Sequence, residues 1–402
     1  MKKILALILA LVMALTLISC GKEPAATPDT GAETEGSFVT EDGKCGCGCG
    51  LDVSGYSPYI QELIYNAHVN KETLSVYGAC DEAYVNAAAY HFQELFKIPT
   101  TSIRYATGEM VTKLEEEKNN PQADVLFGGS NDYYIKASEA GLLKAYQPEN
   151  EKNLISKAFI AENYEWVGIY TGVLGIVVNV EEVERLGLEV PTSWADLTDP
   201  CWKGLISVAN PNTSATATNF LATMHYVYGY PENLDNDGLM KYFQDFDKNV
   251  YQYTKSGSGP AKMVGPGEIV VGLCFLHDGI TQIANGYDNL QLIVPSEGSG
   301  YEIGACGVVK NDKNENAQKL FIEYCLTGEC VNMGKDYASY QNLVITDAAG
   351  AEQPKELVDW GLDDLSKCNL VDYDVSDVAP KLAGWTDEWM HVIAADARLK
   401  TE

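Results

Sequence analysis

Four short loops of the sequence combine glycine with serine, threonine or cysteine where a β-prone run gives way to a helical pattern. They are Gly78-Ala79-Cys80, Thr107-Gly108-Glu109, Gly128-Gly129-Ser130 and Thr213-Ser214. Backbone N–H groups at the start of a helix attract anions, because the aligned peptide dipoles leave partial positive charge there. Such loops can bind an anion in one cleft, although turn and capping chemistry is the simpler explanation of any single one.

Two further loops carry groups that accept hydrogen bonds or transfer protons. His277-Asp278-Gly279 follows an apolar run, and Glu302 lies in a later Gly-Ser-Gly-Tyr-Glu stretch. Asp278 and Glu302 could form the carboxylate pair of a hydrolase, although the sequence does not fix their separation. The sequence has only five histidines and lacks G-x-S-x-G, H-E-x-x-H and G-x-x-x-x-G-K-[ST] motifs. These observations favour binding over catalysis and leave no catalytic residue assigned.

Three cysteines alternate with glycine in Cys45-Gly-Cys47-Gly-Cys49-Gly. Thiols at this spacing could hold a metal or exchange disulfides, but C-x-C without a second pair falls short of a zinc motif. The favoured interpretation is a glycine-rich linker with reduced or variably paired thiols, and no metal site is predicted. The 11 cysteines of the chain do not form a small-domain disulfide framework.

The composition is that of an ordinary globular chain with a strong negative charge. The 402 residues include 28 Lys and Arg and 57 Asp and Glu, which gives a formal net charge of −29. This field repels nucleic acids and anionic lipids. Only Arg104, Arg185 and Arg398 are arginines, so a bound anion must be held largely by other donors.

The N-terminal region reads as a targeting signal followed by a tether. Lys2 and Lys3 precede an apolar run over residues 4–18, which is typical of a signal peptide and short for a membrane span. Leu-Ile-Ser-Cys20 followed by glycine resembles the bacterial lipoprotein box. We therefore expect a signal peptide over 1–19, and a lipidated Cys20 with a flexible tether over 20–50 that anchors the protein without spanning the membrane.

The elements that must position these loops follow an α/β pattern. Apolar β-prone runs at 74–77, 103–105 and 123–127 are each followed by a helical stretch, which indicates a parallel sheet covered by helices. Ligands of such sheets bind at the carboxyl ends of the strands. The long apolar run 171–179 is expected to cross between two lobes. A second block has strands at 204–210, 268–276 and 290–294, and 304–309 is a candidate return crossing.

Several motifs, in this order along the chain, resemble those of extracytoplasmic solute-binding proteins of ABC importers. They are QADVLFGGS (122–130), EAGLL (139–143), TGVLG (171–175), WADL (194–197) and GSGYEIG (298–304). The resemblance covers roughly residues 72–402. Within this class, the motifs are more narrowly similar to those of the ferric-ion-binding-like branch, which includes hexose-phosphate and phosphonate binders.

This resemblance implies a type II periplasmic-binding-protein-like fold, in which two α/β lobes are joined by two crossing strands and close on the ligand. We assign 72–170 and 305–345 to lobe 1, and 178–300 and 346–402 to lobe 2. It also implies that the protein binds a ligand without catalysing a reaction and needs no cofactor. We expect it to act as a monomer whose partners are a small molecule and the permease subunits of the importer.

The positions that match the family's cleft loops form the predicted ligand site. They are Ala79, Cys80, Thr107, Gly108, Gly129, Ser130, Tyr170, Thr213, Ser214, His277, Asp278 and Glu302. Iron-binding members use two adjacent tyrosines near the strand end where this sequence has His277 and Asp278, which puts ferric iron in doubt. His-Asp with a later glutamate resembles the sugar-phosphate binders, and Tyr170 or Tyr301 could stack on a sugar face.

The first expectation for the ligand is therefore a hexose phosphate. A ferric ion or ferric chelate, and a polyamine or thiamine, remain the alternatives.

Overall fold

A computed structural model of the protein describes residues 38–372 and 374–393. The expected signal peptide and the lipidation of Cys20 lie outside the described residues. Among the helices of the described part, none is both long enough and apolar enough to cross a membrane.

The described residues alternate strands and helices over most of their length. The strands are β1 (Leu74–Gly78), β2 (Thr100–Arg104), β3 (Val125–Ser130), β4 (Leu143–Lys144), β5 (Val167–Asn179), β6 (Ile206–Ala209), β7 (Val250–Thr254), β8 (Val271–Phe275), β9 (Leu290–Ile293), β10 (Tyr301–Val309) and β11 (Asn342–Leu343). The α-helices are α1 (Pro58–Val69), α2 (Glu82–Phe96), α3 (Thr107–Glu117), α4 (Asn131–Glu139), α5 (Val180–Leu186), α6 (Ala215–Val227), α7 (Asn236–Asn249), α8 (Gly259–Val264), α9 (Leu276–Ala284), α10 (Glu315–Cys325), α11 (Gly328–Val331), α12 (Met333–Asp336), α13 (Lys355–Asp359), α14 (Val375–Val378) and α15 (Leu382–Ile393).

The sheet is mixed, and its two halves are joined by β5. The order is β2-β1-β3-β10-β5-β8-β6-β7, with β1 parallel to β2 and β3, and β6 parallel to β7 and β8. The first half of β5 pairs antiparallel with β10, and its second half pairs antiparallel with β8 and β9. All 13 residues of β5 are buried, which explains why its sequence lacks polar alternation.

The core is divided between two lobes that we define by these halves of the sheet. The first lobe comprises residues 38–173 and 301–354, and the second comprises 174–300, 355–372 and 374–393. Residues 346–354, expected in lobe 2, lie against the first lobe instead: Gln353 bonds the backbone of Leu343 at 2.9 and 2.7 Å, and Ala351 joins that core. The chain changes lobe near α13, where Leu357 and Leu362 enter the second core.

Residues 38–50 were expected to belong to the flexible tether, and the structure differs. Val39 forms an antiparallel bridge with Cys45, and Lys44 forms one with Asp52. Cys45 and Val53 are buried in the first core. The apolar residues of this segment pack on α1 and its neighbours, and that burial fixes a stretch whose composition alone suggested a linker.

Candidate functional site

A cavity lies between the lobes at the carboxyl ends of β1, β3 and β8, where α2, α3, α6 and α9 begin. Nine of the twelve predicted site residues line it: Ala79, Cys80, Thr107, Gly129, Tyr170, Ser214, His277, Asp278 and Glu302. The strand ends converge there because parallel strands present their carboxyl ends at one edge of a sheet.

The other three predicted residues, Gly108, Ser130 and Thr213, do not line the cavity. The N–H of Gly108 donates to the carbonyl of Thr213 at 3.3 Å, so these two join the lobes beside the site. Ser130 is buried at the start of α4.

Three helices at the cavity begin without a side-chain cap. The residues that precede α3, α6 and α9 are Ala106, Ser214 and Phe275, and none accepts a side-chain hydrogen bond from its helix. The first N–H groups of a helix have no partner within the helix. Uncapped helix starts around one cavity leave backbone donors and partial positive charge for a bound acceptor.

One part of the wall, which we call the donor cluster, consists of Arg104, Ser214, Thr216, Ser256, Ser258 and Lys262. The Arg104 guanidinium donates from Nη2 to Ser256 Oγ at 3.2 Å and from Nε to the carbonyl of Cys80 at 3.2 Å. Ser256 and Ser258 place their hydroxyl oxygens 3.3 Å apart.

Gly257 brings the serine loop against the start of α6. A Cβ at this position would lie 2.0 Å from Thr216 Oγ1 and 3.1 Å from Ser214 Oγ. A side chain is therefore excluded, and four hydroxyl groups from two helix starts share one corner of the cavity. With one guanidinium and one ammonium beside them, they are suited to an anion with several oxygens.

Hydrogen-bond acceptors line another part of the cavity. We call His277, Asp278 and Glu302 the acceptor cluster. The imidazole of His277 stacks on Phe275 with ring centroids 5.7 Å apart, and its Nε2 lies 3.9 Å from Asp278 Oδ1. Burial lowers the pKa of His277 to about 3, and its buried Nδ1 has no hydrogen-bond partner. A neutral imidazole with an unpartnered buried nitrogen is prepared to bond a polar ligand.

Burial raises the pKa of both carboxyl groups of the acceptor cluster. Burial raises the pKa of Asp278 to about 7, an increase that Lys262 and Arg104 oppose and Asp81 reinforces. Burial, and then the charges of Asp278 and Asp132, raise the pKa of Glu302 well above its ordinary value. Carboxyl groups of this kind can donate as well as accept, which matches the hydroxyl groups of a polyol.

Glycine is required where β5 passes the acceptor cluster. A Cβ at Gly172 would lie 2.7 Å from His277 Nδ1 and 3.4 Å from Glu302 Oε1. The bare backbone lets the imidazole and the carboxyl group approach each other across the strand.

Tyr170 lines the cavity, and its hydroxyl oxygen accepts the N–H of Gly129 at 3.0 Å. Gly129 has φ +85°, and a Cβ there would lie 2.9 Å from both Ala79 Cβ and Thr107 Oγ1. Tyr170 therefore fixes the carboxyl end of β3. Tyr301 does not line this cavity.

The adjacent tyrosines at 133 and 134 serve packing. Both are buried, and the Tyr134 hydroxyl lies at hydrogen-bond distance from the carbonyl oxygens of Gly128 (2.8 Å) and Ala305 (2.7 Å). Neither lines the cavity, so no adjacent pair of tyrosines is presented to a ligand there.

Sequence reasoning missed most of the donor cluster. The Ser256-Gly257-Ser258 loop follows β7 and precedes Pro260 in the first turn of α8, which is the same strand, glycine loop and helix pattern that identified the other loops. Arg104 ends β2 and gave no local signal. Gln282 and Gln341 also line the cavity, and nothing in their sequence neighbourhood marks them.

With this geometry in place, comparison with known proteins identifies the class. A family model described as a bacterial extracellular solute-binding protein matches residues 120–361. An uncharacterised protein of Haemophilus influenzae is 34% identical over 311 residues, which cover 76% of this chain and 85% of that protein.

Solved structures agree with this class. The periplasmic binding protein AfuA from Actinobacillus pleuropneumoniae, solved with fructose-6-phosphate bound, is 34% identical with a TM-score of 0.74 over 81% of this chain and 100% of its own. The periplasmic binding protein P5PA is 27% identical with a TM-score of 0.71 over 80% of this chain and 99% of its own.

Fold and cavity thus define a two-lobed binding protein of the type II periplasmic class. The chain belongs to the bacterial extracellular solute-binding protein family, in the ferric-ion-binding-like branch of the ABC importer proteins. Proteins of this family bind a small solute and present it to permease subunits.

Proposed function

We propose that this protein captures a hexose phosphate and delivers it to the permease of an ABC importer. The observation that carries the proposal is that one cavity holds both the donor cluster and the acceptor cluster. A hexose phosphate has the same two parts, an anionic group with several oxygens and a neutral body with several hydroxyl groups.

The donor cluster is the proposed phosphate site. Hydroxyls at 214, 216, 256 and 258, the uncapped start of α6 and the Arg104 guanidinium supply hydrogen bonds to phosphate oxygens. One guanidinium suffices because backbone and hydroxyl donors do the rest. The phosphate would replace the present Arg104–Ser256 contact and hold both lobes at once.

The acceptor cluster is the proposed sugar site. Neutral carboxyl groups and a neutral imidazole can each bond hydroxyl groups without leaving a buried charge unpaired. Because a buried site built for hydroxyl groups rejects ligands that lack them, these residues would decide which phosphorylated compound binds. The presence of fructose-6-phosphate in the AfuA structure supports this assignment.

The alternative ligands fit the cavity less well. A ferric ion needs anionic oxygen donors, and the adjacent tyrosines at 133 and 134 are used in packing. A polyamine or thiamine cation would meet Arg104 and Lys262, while the raised pKa values of Asp278 and Glu302 reduce the negative charge that these two groups offer it. Both alternatives remain outcomes of the experiment.

The experiment is thermal unfolding of the purified full chain with glucose 6-phosphate, fructose 6-phosphate, glucose, inorganic phosphate, a phosphonate, ferric citrate, spermidine and thiamine. A ligand at a hundred times its Kd stabilises the fold by about 2.7 kcal/mol, a readily measured increase in Tm. We expect the hexose phosphates to raise the Tm, and glucose or phosphate alone to do so far less. A shift with iron or a cation alone would overturn the sugar phosphate and keep the importer class.

The mechanism is capture followed by closure, and no bond is made or broken. Contacts between the lobes already surround the cavity: Lys255 pairs with Glu109 at 2.9 Å, and Lys262 lies 3.9 Å from Asp81. A ligand that bonds both lobes stabilises the closed form by its differential affinity. Anchoring through a lipidated Cys20 and action as a monomer complete the proposal.

A further inference from the structure

The Cys45-Gly-Cys47-Gly-Cys49 motif is folded into a cluster of sulfur atoms. The three Sγ atoms all lie within 4.8 Å of one another, and those of Cys45 and Cys47 are 2.9 Å apart. Cys45 is buried, while the other two are half-buried. This arrangement lies on the first lobe, and the proposed sugar-phosphate function does not use it.

The backbone holds the cluster in place from both sides. The N–H of Cys45 donates to the carbonyl of Leu51 at 2.8 Å, and the N–H of Gly46 donates to the carbonyl of Phe38 at 2.8 Å. Gly48 and Gly50 have φ +81° and +80°, a conformation that other residues rarely adopt. Glycine at these positions lets the chain turn so that alternate side chains meet at one point.

The surroundings of the sulfur atoms resemble the outer shell of a thiolate site. The backbone N–H of Cys49 donates a hydrogen bond to the sulfur atom of Cys47, and the backbone N–H of Leu51 donates one to the sulfur atom of Cys49. N–H donors of this kind orient and stabilise thiolate ligands around a metal. Within the described residues, no histidine or carboxylate completes this group.

We propose that Cys45, Cys47 and Cys49 form a three-coordinate site for a soft thiophilic cation, with copper(I) as the ion. Soft thiolates select copper(I), zinc and iron–sulfur clusters. Structural zinc and iron–sulfur sites take four protein ligands, and zinc held by three protein ligands keeps a water or substrate as its fourth. Copper(I) is satisfied by three thiolates alone, which is the number this cluster supplies.

The sulfur separations suit such a site. Three sulfur atoms about 2.3 Å from a central metal lie about 4 Å apart, and the three sulfur atoms of this cluster all lie within 4.8 Å of one another. Cys45 and Cys47 need only move apart by about 1 Å, and a Cβ built at Gly48 or Gly50 would meet nothing within 4 Å, so the loop has room to adjust. On binding, three S–H bonds are replaced by three Cu–S bonds and three protons are released. Copper remains copper(I).

The test is an anaerobic titration of the reduced full chain with copper(I), in competition with a chromophoric copper(I) chelator. We expect the protein to withdraw one equivalent, and X-ray absorption to show copper bound by sulfur atoms only, three in number. Cys47→Ser and Cys49→Ser should each weaken binding at least 100-fold. Cys201→Ser removes an exposed cysteine outside the cluster and serves as the matched control, which should bind like the native chain.

Folding is monitored separately, because Cys45 is part of the first core and Cys45→Ser could fail to fold. Copper(I) should raise the Tm of the native chain and of Cys201→Ser but not that of Cys47→Ser, while all three keep the same Tm shift with the cavity ligand. This separates failure of the metal site from failure of the sugar-phosphate proposal.

Three results would overturn the inference. They are no withdrawal of copper from the chelator, undiminished binding by Cys47→Ser, and tighter retention of zinc than of copper(I). A disulfide mapped to Cys45 and Cys47 that persists in copper-treated protein would do the same.

Discussion

The donor cluster and the acceptor cluster line the same cavity and are built on opposite electrostatic principles. In the donor cluster, the side chains of Arg104, at the end of β2, and of Lys262, within α8, lie beside several hydroxyls at helix starts. In the acceptor cluster, burial raises the pKa of Asp278 to about 7 and that of Glu302 well above its ordinary value. An acidic protein can therefore bind an anion where guanidinium, ammonium and hydroxyl donors are concentrated and the pKa values of the buried carboxyl groups nearby are raised.

Asp278 connects the two clusters. Its carboxyl group is influenced by Lys262 and Arg104 on one side and raises the pKa of Glu302 on the other. Ligand binding should therefore be most sensitive to substitution of Asp278.

Replacement of Asp278 by alanine should weaken hexose-phosphate binding at least about 100-fold, near 3 kcal/mol, because a buried hydroxyl group of the sugar would lose its partner. The fold should remain intact, since the lost group is one that burial disfavours when ionised. Isothermal titration calorimetry measures the affinity. Asp288→Ala, which alters an exposed carboxylate of the same lobe, should bind normally, and unchanged affinity of Asp278→Ala would remove this residue from the site.

Replacement of Arg104 by glutamine should weaken binding of the phosphorylated sugar about 30-fold, since a hydrogen bond to a charged group contributes about 2 kcal/mol. Any weak binding of the unphosphorylated sugar should be unaffected, which would separate the two clusters by function. The control is Arg185→Gln, whose native side chain pairs with Glu182 at 2.6 Å on the surface. Equal losses for both sugars would contradict the division of the cavity.

The pH dependence of stability should distinguish the acceptor cluster without any ligand. The pKa of Asp278 is raised to about 7 in the fold, so between about 4 and 7 the folded state holds a proton that the unfolded state has lost. Asp278 therefore lowers the free energy of unfolding as the pH rises from about 4 to about 7.

The measurement is the urea midpoint of the native chain and of Asp278→Asn at pH 5 and pH 7.5. Between pH 5 and pH 7.5, the free energy of unfolding of the native chain should fall by about 1–2 kcal/mol more than that of the variant. This is less than the full pKa shift of Asp278 would give, because its side chain is 20% exposed to solvent. The pKa of His277, lowered to about 3, gives stability the opposite slope, and the subtraction removes it. Parallel pH profiles would show that Asp278 ionises freely.

The smallest effect is expected at the rim of the cavity. Lys255→Ala breaks the ion pair with Glu109 between the lobes, but both side chains are partly exposed, and such pairs contribute about 0.2–1 kcal/mol. Affinity should fall less than about fivefold, and less still at high salt. The control is Lys113→Ala, which breaks an ion pair within α3. A large loss of affinity for Lys255→Ala would mean that contacts at the rim, and not only those inside the cavity, contribute much of the binding free energy.

Local patterns in the sequence sufficed for the elements that carry the site. The apolar run at 171–179 predicted the strand that joins the two halves of the sheet, and β5 crosses there. The β-prone run at 74–77 predicted a strand, and β1 covers Leu74–Gly78. These features depend on neighbours along the chain, which a single sequence displays directly.

Contacts between distant residues could not be predicted in this way. Arg104 and Ser256 are 152 positions apart, and only the packing of the two lobes brings them to 3.2 Å. The sequence predicts a linker at cysteines 45, 47 and 49 because composition does not reveal tertiary contacts. In the structure, Val39 bridges Cys45, and Cys45 and Val53 are buried in the first core.

The class of fold and the position of the loops at strand ends can be derived from the amino-acid sequence, because hydrophobic periodicity and helix starts are local properties. Which loops share a cavity, and which carboxyl groups have a raised pKa, depends on how the two lobes pack. The physical reason is that desolvation and charge depend on everything packed around a group, and residues from both lobes surround Asp278 and Glu302.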